Sequence, residues 1–322
     1  MNDKSRILRW IGLPPDQIRN SPKVGLALSA GGARGLAHIG VIQVLEEHGI
    51  PVHAVAGSSM GAYVGALWSA GKNGQDLQQL AAEVPTRRAL FRLLDPAIPP
   101  FRGLFRGNRL RARLDEDLHG ATFADLKKEF YVTAADIASH ELHVINSGSV
   151  AIAVHASAAV PGLCVPVIIE GRELVDGGVV DPLPVDVLRD AGCDIIISSS
   201  VVPSPAEVNA GMEGVGRKPR RWLSRWNPFG AGNLIDILRR SITAAQIRTA
   251  AMSEYFADIV LRPHTAGTQW HDYYHWQHYI DLGRAAAEEK LSELAVLTSA
   301  TTPPQPHESA VSPLDPTLAL AS

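Results

Sequence analysis

Apolar runs of strand length alternate with helical periodicities over the first seventy-odd residues. Val24 to Ser29 is a run of small and apolar residues that predicts a strand, and Gly31-Gly32-Ala33-Arg34-Gly35 breaks it. Leu36, Ile39, Val44 and Leu45 then recur at helical spacing until Gly49-Ile50-Pro51 stops the helix. Val52 to Ala56 is a second apolar run, Gly57 to Gly61 a turn, and Tyr63 to Ala70 a helix ended by Gly71. Strand, glycine-rich loop, helix, strand, tight turn, helix is the order of a parallel sheet with helices on its faces.

The rest of the chain continues the mixture. Residues 72–128 read as helical and irregular, rich in Arg and Leu. Phe130 to Ala138 and Glu141 to Asn146 predict two strands, and Ala151 to Ala159 a small-residue helix ended before Pro161. Val165 to Glu170 and Glu173 to Val175 flank Gly171-Arg172, the turn of a hairpin. Pro184 to Ala191 predicts a helix and Asp194 to Val202 a buried strand. Residues 203–230 read as a loop rich in Pro, Gly, Arg and Trp. Helices over 233–256 and 279–297 enclose a short strand at Asp258 to Leu261. The expected organisation is an N-terminal arm over 1–22, one α/β domain over 23–298, and a disordered tail over 299–322 rich in Ser, Thr and Pro.

Three glycine-rich loops at strand ends carry the candidate chemistry. Gly57-Ser58-Ser59-Met60-Gly61 fits G-x-S-x-G between a strand and a helix. A Ser on such a sharp turn is pushed out of the sheet, and Gly57 and Gly61 remove the Cβ atoms that would clash there. Ser58 is a second candidate by type, but Ser59 alone has glycines at minus two and plus two. A nucleophilic Ser needs a base and donors for the oxyanion. The loop Gly31, Gly32, Ala33, Arg34 with Gly35 follows the first strand and opens a helix, so its backbone N–H groups point outward as donors. It matches neither G-x-G-x-x-G nor the Walker pattern, which speaks against a nucleotide site. Asp176-Gly177-Gly178 ends the hairpin and leaves a carboxylate at a strand end, the candidate base.

The run Ser29 to Val41, the elbow around Ser59, Ala156-Ser157-Ala158-Ala159-Val160-Pro161, and Val175-Asp176-Gly177-Gly178 with Pro182 to Asp186 resemble patatin-like phospholipases in the family's order. The resemblance is strongest to the bacterial branch related to neuropathy target esterase, and it covers about residues 23 to 202. It implies a three-layer α/β/α fold with a mainly parallel central sheet. It also implies a Ser59–Asp176 dyad without a catalytic His, an acyl-enzyme, and hydrolysis of lipid acyl esters such as (lyso)phospholipids. Lipid or lysolipid is the implied substrate, and neither cofactor nor metal is required.

Two other readings stay open on the residues. His264, His271, His275 and His278 follow Asp176, as the His of an α/β-hydrolase triad would; a catalytically idle lipid-binding scaffold is the other. His271 and His275, four apart, would share a helical face, but no third metal ligand accompanies them.

Composition narrows the setting. The 322 residues are 46% hydrophobic and 20% charged with a net charge of -3, ordinary for a globular protein and without a global pull toward nucleic acid. Cys164 and Cys193 lie in apolar surroundings and read as buried free thiols. Neither a signal-peptide stretch nor an apolar run of about 18 residues is present, so the expectation is a cytoplasmic protein that meets lipid peripherally at the inner membrane surface. Arg220, Arg221, Trp222, Arg225 and Trp226 combine charges for anionic headgroups with interfacial indoles, and a second basic and apolar stretch runs from Arg87 to Arg113.

Overall fold

The computed structural model describes residues 22–83, 93, 95–204, 207, 233–268 and 271–301. Its eight strands are β1 (Val24–Leu28), β2 (Ala54–Ser58), β3 (Glu129–Asp136), β4 (Glu141–Ile145), β5 (Val167–Ile169), β6 (Arg172–Asp176), β7 (Ile195–Ser199) and β8 (Ile259–Leu261). They form one sheet in the order β5-β6-β3-β2-β1-β7-β8, with β4 also paired to β3. The five strands from β3 to β8 in that order are parallel, and β4, β6 and β5 add antiparallel pairs.

Strand periodicity separates two cores. Val24, Leu26 and Leu28 of β1, Val55 of β2 and Ile197 of β7 face one side. There they meet α1 (Ala37–Glu47), α2 (Met60–Ser69), α5 (Val150–Ser157) and α8 (Trp276–Glu289). The alternate residues, Ala27, Ala54, Ala56 and Ile196, face α6 (Val185–Asp190) and Ala250 of α7 (Leu234–Phe256). A sheet buried on both faces needs apolar residues at consecutive positions, which is why these strands read as continuous runs. The expected three layers, α/β/α, are present. α3 (Gly74–Ala82), α4 (Asn108–Asp117) and α9 (Leu291–Thr301) complete the helices among the described residues.

β3 positions the site. β2 pairs with its residues 129–133, β4 with 132–136 and β6 with 134–136. Because β4 overlaps both others in register, β2 and β6 lie on the same edge of β3, opposite β4. They run in opposite directions and meet end to end, with Ser58 opposite Thr133 and Asp176 opposite the next residue, Ala134. The residues leaving the two strand ends are therefore forced together.

Some boundaries differ from expectation. The hairpin turn is Glu170-Gly171, both at positive φ, and Arg172 already belongs to β6. The single helix expected over 279–297 is two, α8 and α9, and α9 runs past residue 298 to Thr301. Most of the expected arm, the tail from 302 and the Arg220–Trp226 patch lie outside the described residues.

Candidate active site

Ser59 sits between β2 and α2 with φ 54 and ψ -117, a strained conformation for a residue with a Cβ. Close packing and hydrogen bonds hold it. A Cβ on Gly57 would fall 2.6 Å from the Ala62 nitrogen, and one on Gly61 would fall 2.6 Å from the Leu28 carbonyl carbon. The Ser59 N–H donates to Ser157 Oγ at 2.8 Å, fixing the turn from α5. The side chain is partly exposed, whereas Ser58 is fully buried at the end of β2 and its Oγ has no hydrogen-bond partner among the described residues. Of the two serines, Ser59 is the accessible one.

Ser59 Oγ donates to Asp176 Oδ2 at 2.7 Å. The other carboxylate oxygen, Oδ1, accepts from the Gly178 N–H at 2.8 Å. Asp176 is 5% exposed. Burial pushes its carboxyl up to about 6, against the two hydrogen bonds that favour its charge. A carboxylate that titrates there is charged at neutral pH and more basic than an exposed Asp, which is what proton abstraction from a hydroxyl needs. The Asp176 N–H donates to the Ala159 carbonyl at 3.0 Å, so the end of α5 and the residues just after it hold both members of the pair.

The glycine loop after β1 packs onto both. Gly32 to Leu36 form a 3-10 turn, entered through Gly31. N–H groups at the start of such a turn have no acceptor within it. A Cβ on Gly35 would fall 2.7 Å from Met60 Cβ, and one on Gly178 would fall 2.9 Å from Ala30 Cβ. The loops carrying Gly31 to Arg34, Ser59 and Asp176 thus converge at one end of the sheet. The Arg34 guanidinium is turned to Thr268, donating to Oγ1 at 3.2 Å and to the carbonyl at 2.8 Å.

Supporting residues escaped the sequence reading. Fully buried His38 contacts the Ser29 carbonyl through Nε2 at 2.9 Å and Ser199 Oγ through Nδ1 at 2.8 Å. A carbonyl only accepts, so Nε2 carries the proton and Nδ1 accepts from the Ser199 hydroxyl. Burial pushes this imidazole down to about 4, and it is neutral. It holds the entrance of the glycine loop, together with Ser29 N–H to the Ser199 carbonyl and Ala30 N–H to the Pro182 carbonyl. Ser157 was legible only as part of a motif, because a hydroxyl that holds a backbone N–H leaves no periodic signature. Half-buried Tyr273 and Cys164 lie within electrostatic reach of Asp176, and burial raises both, the thiol to about 11.

The late histidines are placed elsewhere. His275 ends a short 3-10 turn and pairs with Asp272 at 2.7 Å, on the surface. His271 lies in a turn before it, so the two do not share an α-helical face. Both oxygens of Asp176 are taken by Ser59 and Gly178, and no histidine among the described residues hydrogen bonds to either member of the pair. No group of three His, Cys, Asp or Glu side chains among the described residues is arranged to hold a metal ion. Cys164 and Cys193 are free thiols, Cys193 buried and Cys164 only partly so.

Comparisons with known proteins show the family. The Patatin family, described as patatin-like phospholipase, matches residues 26–189. A Mycobacterium bovis protein of the NTE family is 35% identical over 225 residues, which are 67% of this chain and 61% of that protein. A lysophospholipase of Aspergillus fumigatus is 32% identical over 215 residues, 65% of this chain and 14% of its own. The chain therefore spans under two thirds of the length of these relatives. Among solved structures, VipD from Legionella pneumophila superposes with a TM-score of 0.54 at 17% identity, covering 87% of this chain and 67% of that one. That likeness speaks to the fold alone. With the family's match running from β1 through the Ser59 elbow and Asp176 to α6, this chain belongs to the patatin-like phospholipases.

Proposed function

We propose that the protein is a serine acyl-ester hydrolase that releases fatty acid from lysophospholipids or related lipid esters through a Ser59–Asp176 dyad. The observation that carries this is the 2.7 Å hydrogen bond from Ser59 Oγ to a buried carboxylate, on a strained elbow. The lysophospholipase named among the relatives supports the substrate class.

In this reading Asp176 accepts the Ser59 proton as Oγ attacks the acyl carbonyl. Charge develops on the carbonyl oxygen, and backbone N–H groups of Gly31, Gly32, Ala33 and Arg34 stabilise it. The tetrahedral intermediate collapses, the alcohol leaves with the proton from Asp176, and the acyl group stays on Ser59. Water then gives a proton to Asp176, attacks the acyl-enzyme and releases the fatty acid, and Ser59 recovers its proton. Long-chain substrates reside in bilayers or micelles, so peripheral contact with a lipid surface on the cytoplasmic side is part of the proposal.

Fatty-acid release from lysophosphatidylcholine by the whole chain tests it. Ser59→Ala and Asp176→Asn are each expected to lower kcat/KM by about a thousandfold or more. Hydrolysis that survives either substitution, or its absence from the unsubstituted protein, overturns the reading.

A further inference from the structure

A groove of about 600 Å³ lies between α5 and two outer segments, and neither Ser59 nor Asp176 lines it. Its inner wall is α5, through Ile152 and His155, the helix whose Ser157 holds the Ser59 N–H. Its outer wall is the loop 97–106 and the segment 165–168. These are stitched together by the Leu104 and Phe105 N–H groups to the Leu163 carbonyl and by the Val165 N–H to the Phe105 carbonyl. Gly103 permits that contact, since a Cβ there would fall 2.6 Å from the Val165 nitrogen. The same segment carries Cys164, which feels the charge of Asp176.

Two properties of the rim stand out. Ile98, Phe101 and Ile168 are 79%, 88% and 65% exposed, large apolar side chains turned to solvent around one opening. The lining also holds Arg102, Arg106 and Arg111 and no acidic residue, in a chain of net charge -3. Arg102 is paired with Glu173. Arg106 is exposed, and Arg111 keeps a buried Nε without a hydrogen-bond partner among the described residues. An anionic oxygen entering the groove would meet the exposed Arg106 and the half-buried Arg111. Apolar tips flanked by these two arginines match the layering of a bilayer surface, acyl chains beneath phosphate.

We propose that this rim is the membrane-docking surface: Ile98, Phe101 and Ile168 enter the acyl boundary of an anionic phospholipid bilayer while Arg106 and Arg111 take lipid phosphates. The docked orientation sets the groove against the lipid, with α5, which also carries Ser157, behind it. The proposal rests on the reading of the protein as a lipid hydrolase.

Vesicle co-sedimentation of the whole chain carrying Ser59→Ala tests it without turnover, using phosphatidylcholine alone and phosphatidylcholine mixed with phosphatidylglycerol. Binding to the mixed vesicles is expected to be the stronger. Ile98→Ser with Phe101→Ser and Ile168→Ser should weaken it about tenfold or more. Arg106→Gln and Arg111→Gln should each weaken it about fivefold, on the mixed vesicles only. A thermal melt matching the parent establishes that the variants are folded. In a separate variant, Phe101→Trp should add indole emission that shifts to the blue with vesicles. Unchanged binding in the rim variants, an added indole emission that does not shift in the Phe101→Trp variant, or loss of binding only in Trp222→Ala with Trp226→Ala overturns the assignment. So does a parent that binds neither vesicle. Because binding is read in the Ser59→Ala chain, these outcomes are separate from the lysophosphatidylcholine assay, whose failure would overturn the enzyme reading instead.

Discussion

In the proposed mechanism Asp176 couples chemistry to stability. Its carboxyl titrates near 6 when folded and near 4 in an unfolded chain. Between those values the folded state binds more protons, so stability falls as pH rises through the window and stays lower above it. Asp176→Asn removes the buried charge. At pH 8 it should raise stability by about 1–3 kcal/mol, with a gain in Tm that disappears below about pH 4. Calorimetry across that range checks it. In the proposed mechanism activity should move the other way: kcat/KM of the unsubstituted protein should rise through pH about 6 and level off above, as Asp176 loses its proton. A profile flat down to about pH 4 would contradict the assignment. Ser59, with its positive φ, is a second strained group held in place for the same proposed task.

Two helices show how little the elements can move. α1 and α8 approach so closely that a Cβ on Gly40 would fall 2.7 Å from the Arg284 nitrogen, and one on Gly283 would fall 2.7 Å from the Ala37 carbonyl carbon. These are backbone atoms and cannot rotate away. Gly283→Ala should therefore destabilise by about 3 kcal/mol or more, above the usual range for an added methyl. Chemical denaturation of the variant checks this, and a cost under about 1 kcal/mol would mean that the helices can separate. The consequence reaches the site, because α1 follows directly from the 3-10 turn of the glycine loop and carries His38 beneath it. Nothing in the period of either helix marks these glycines, since helical spacing shows which face is buried but not how near the partner backbone comes.

The whole molecule does not divide where its family resemblance does. The family's match ends at residue 189, yet β7 pairs with β1 along its full length, Val24 with Ile195 through Leu28 with Ser199. Without β7, β1 becomes an edge, the loop at Ser29 and Ala30 loses its bond to Ser199, and His38 loses its Ser199 partner. A chain of residues 22–192 should therefore show no cooperative thermal transition, whereas the whole chain should. Circular dichroism through a melt distinguishes them, and a cooperative transition in the fragment would show that β7 is dispensable.

The sequence by itself determined the strand–loop–helix order, the α/β class and the three glycine-rich loops with Ser59 and Asp176 among them. Those signals are local: period, turn chemistry and glycines at fixed offsets. Only the tertiary structure decided that β2 and β6 meet end to end on one edge of β3, which brings residue 59 within 2.7 Å of residue 176. It alone buried Asp176 and raised its carboxyl, placed His38 under the glycine loop, and turned Ile98, Phe101 and Ile168 outward around one groove. Burial, register and the approach of distant backbones depend on residues far apart in the chain, and no local pattern encodes them.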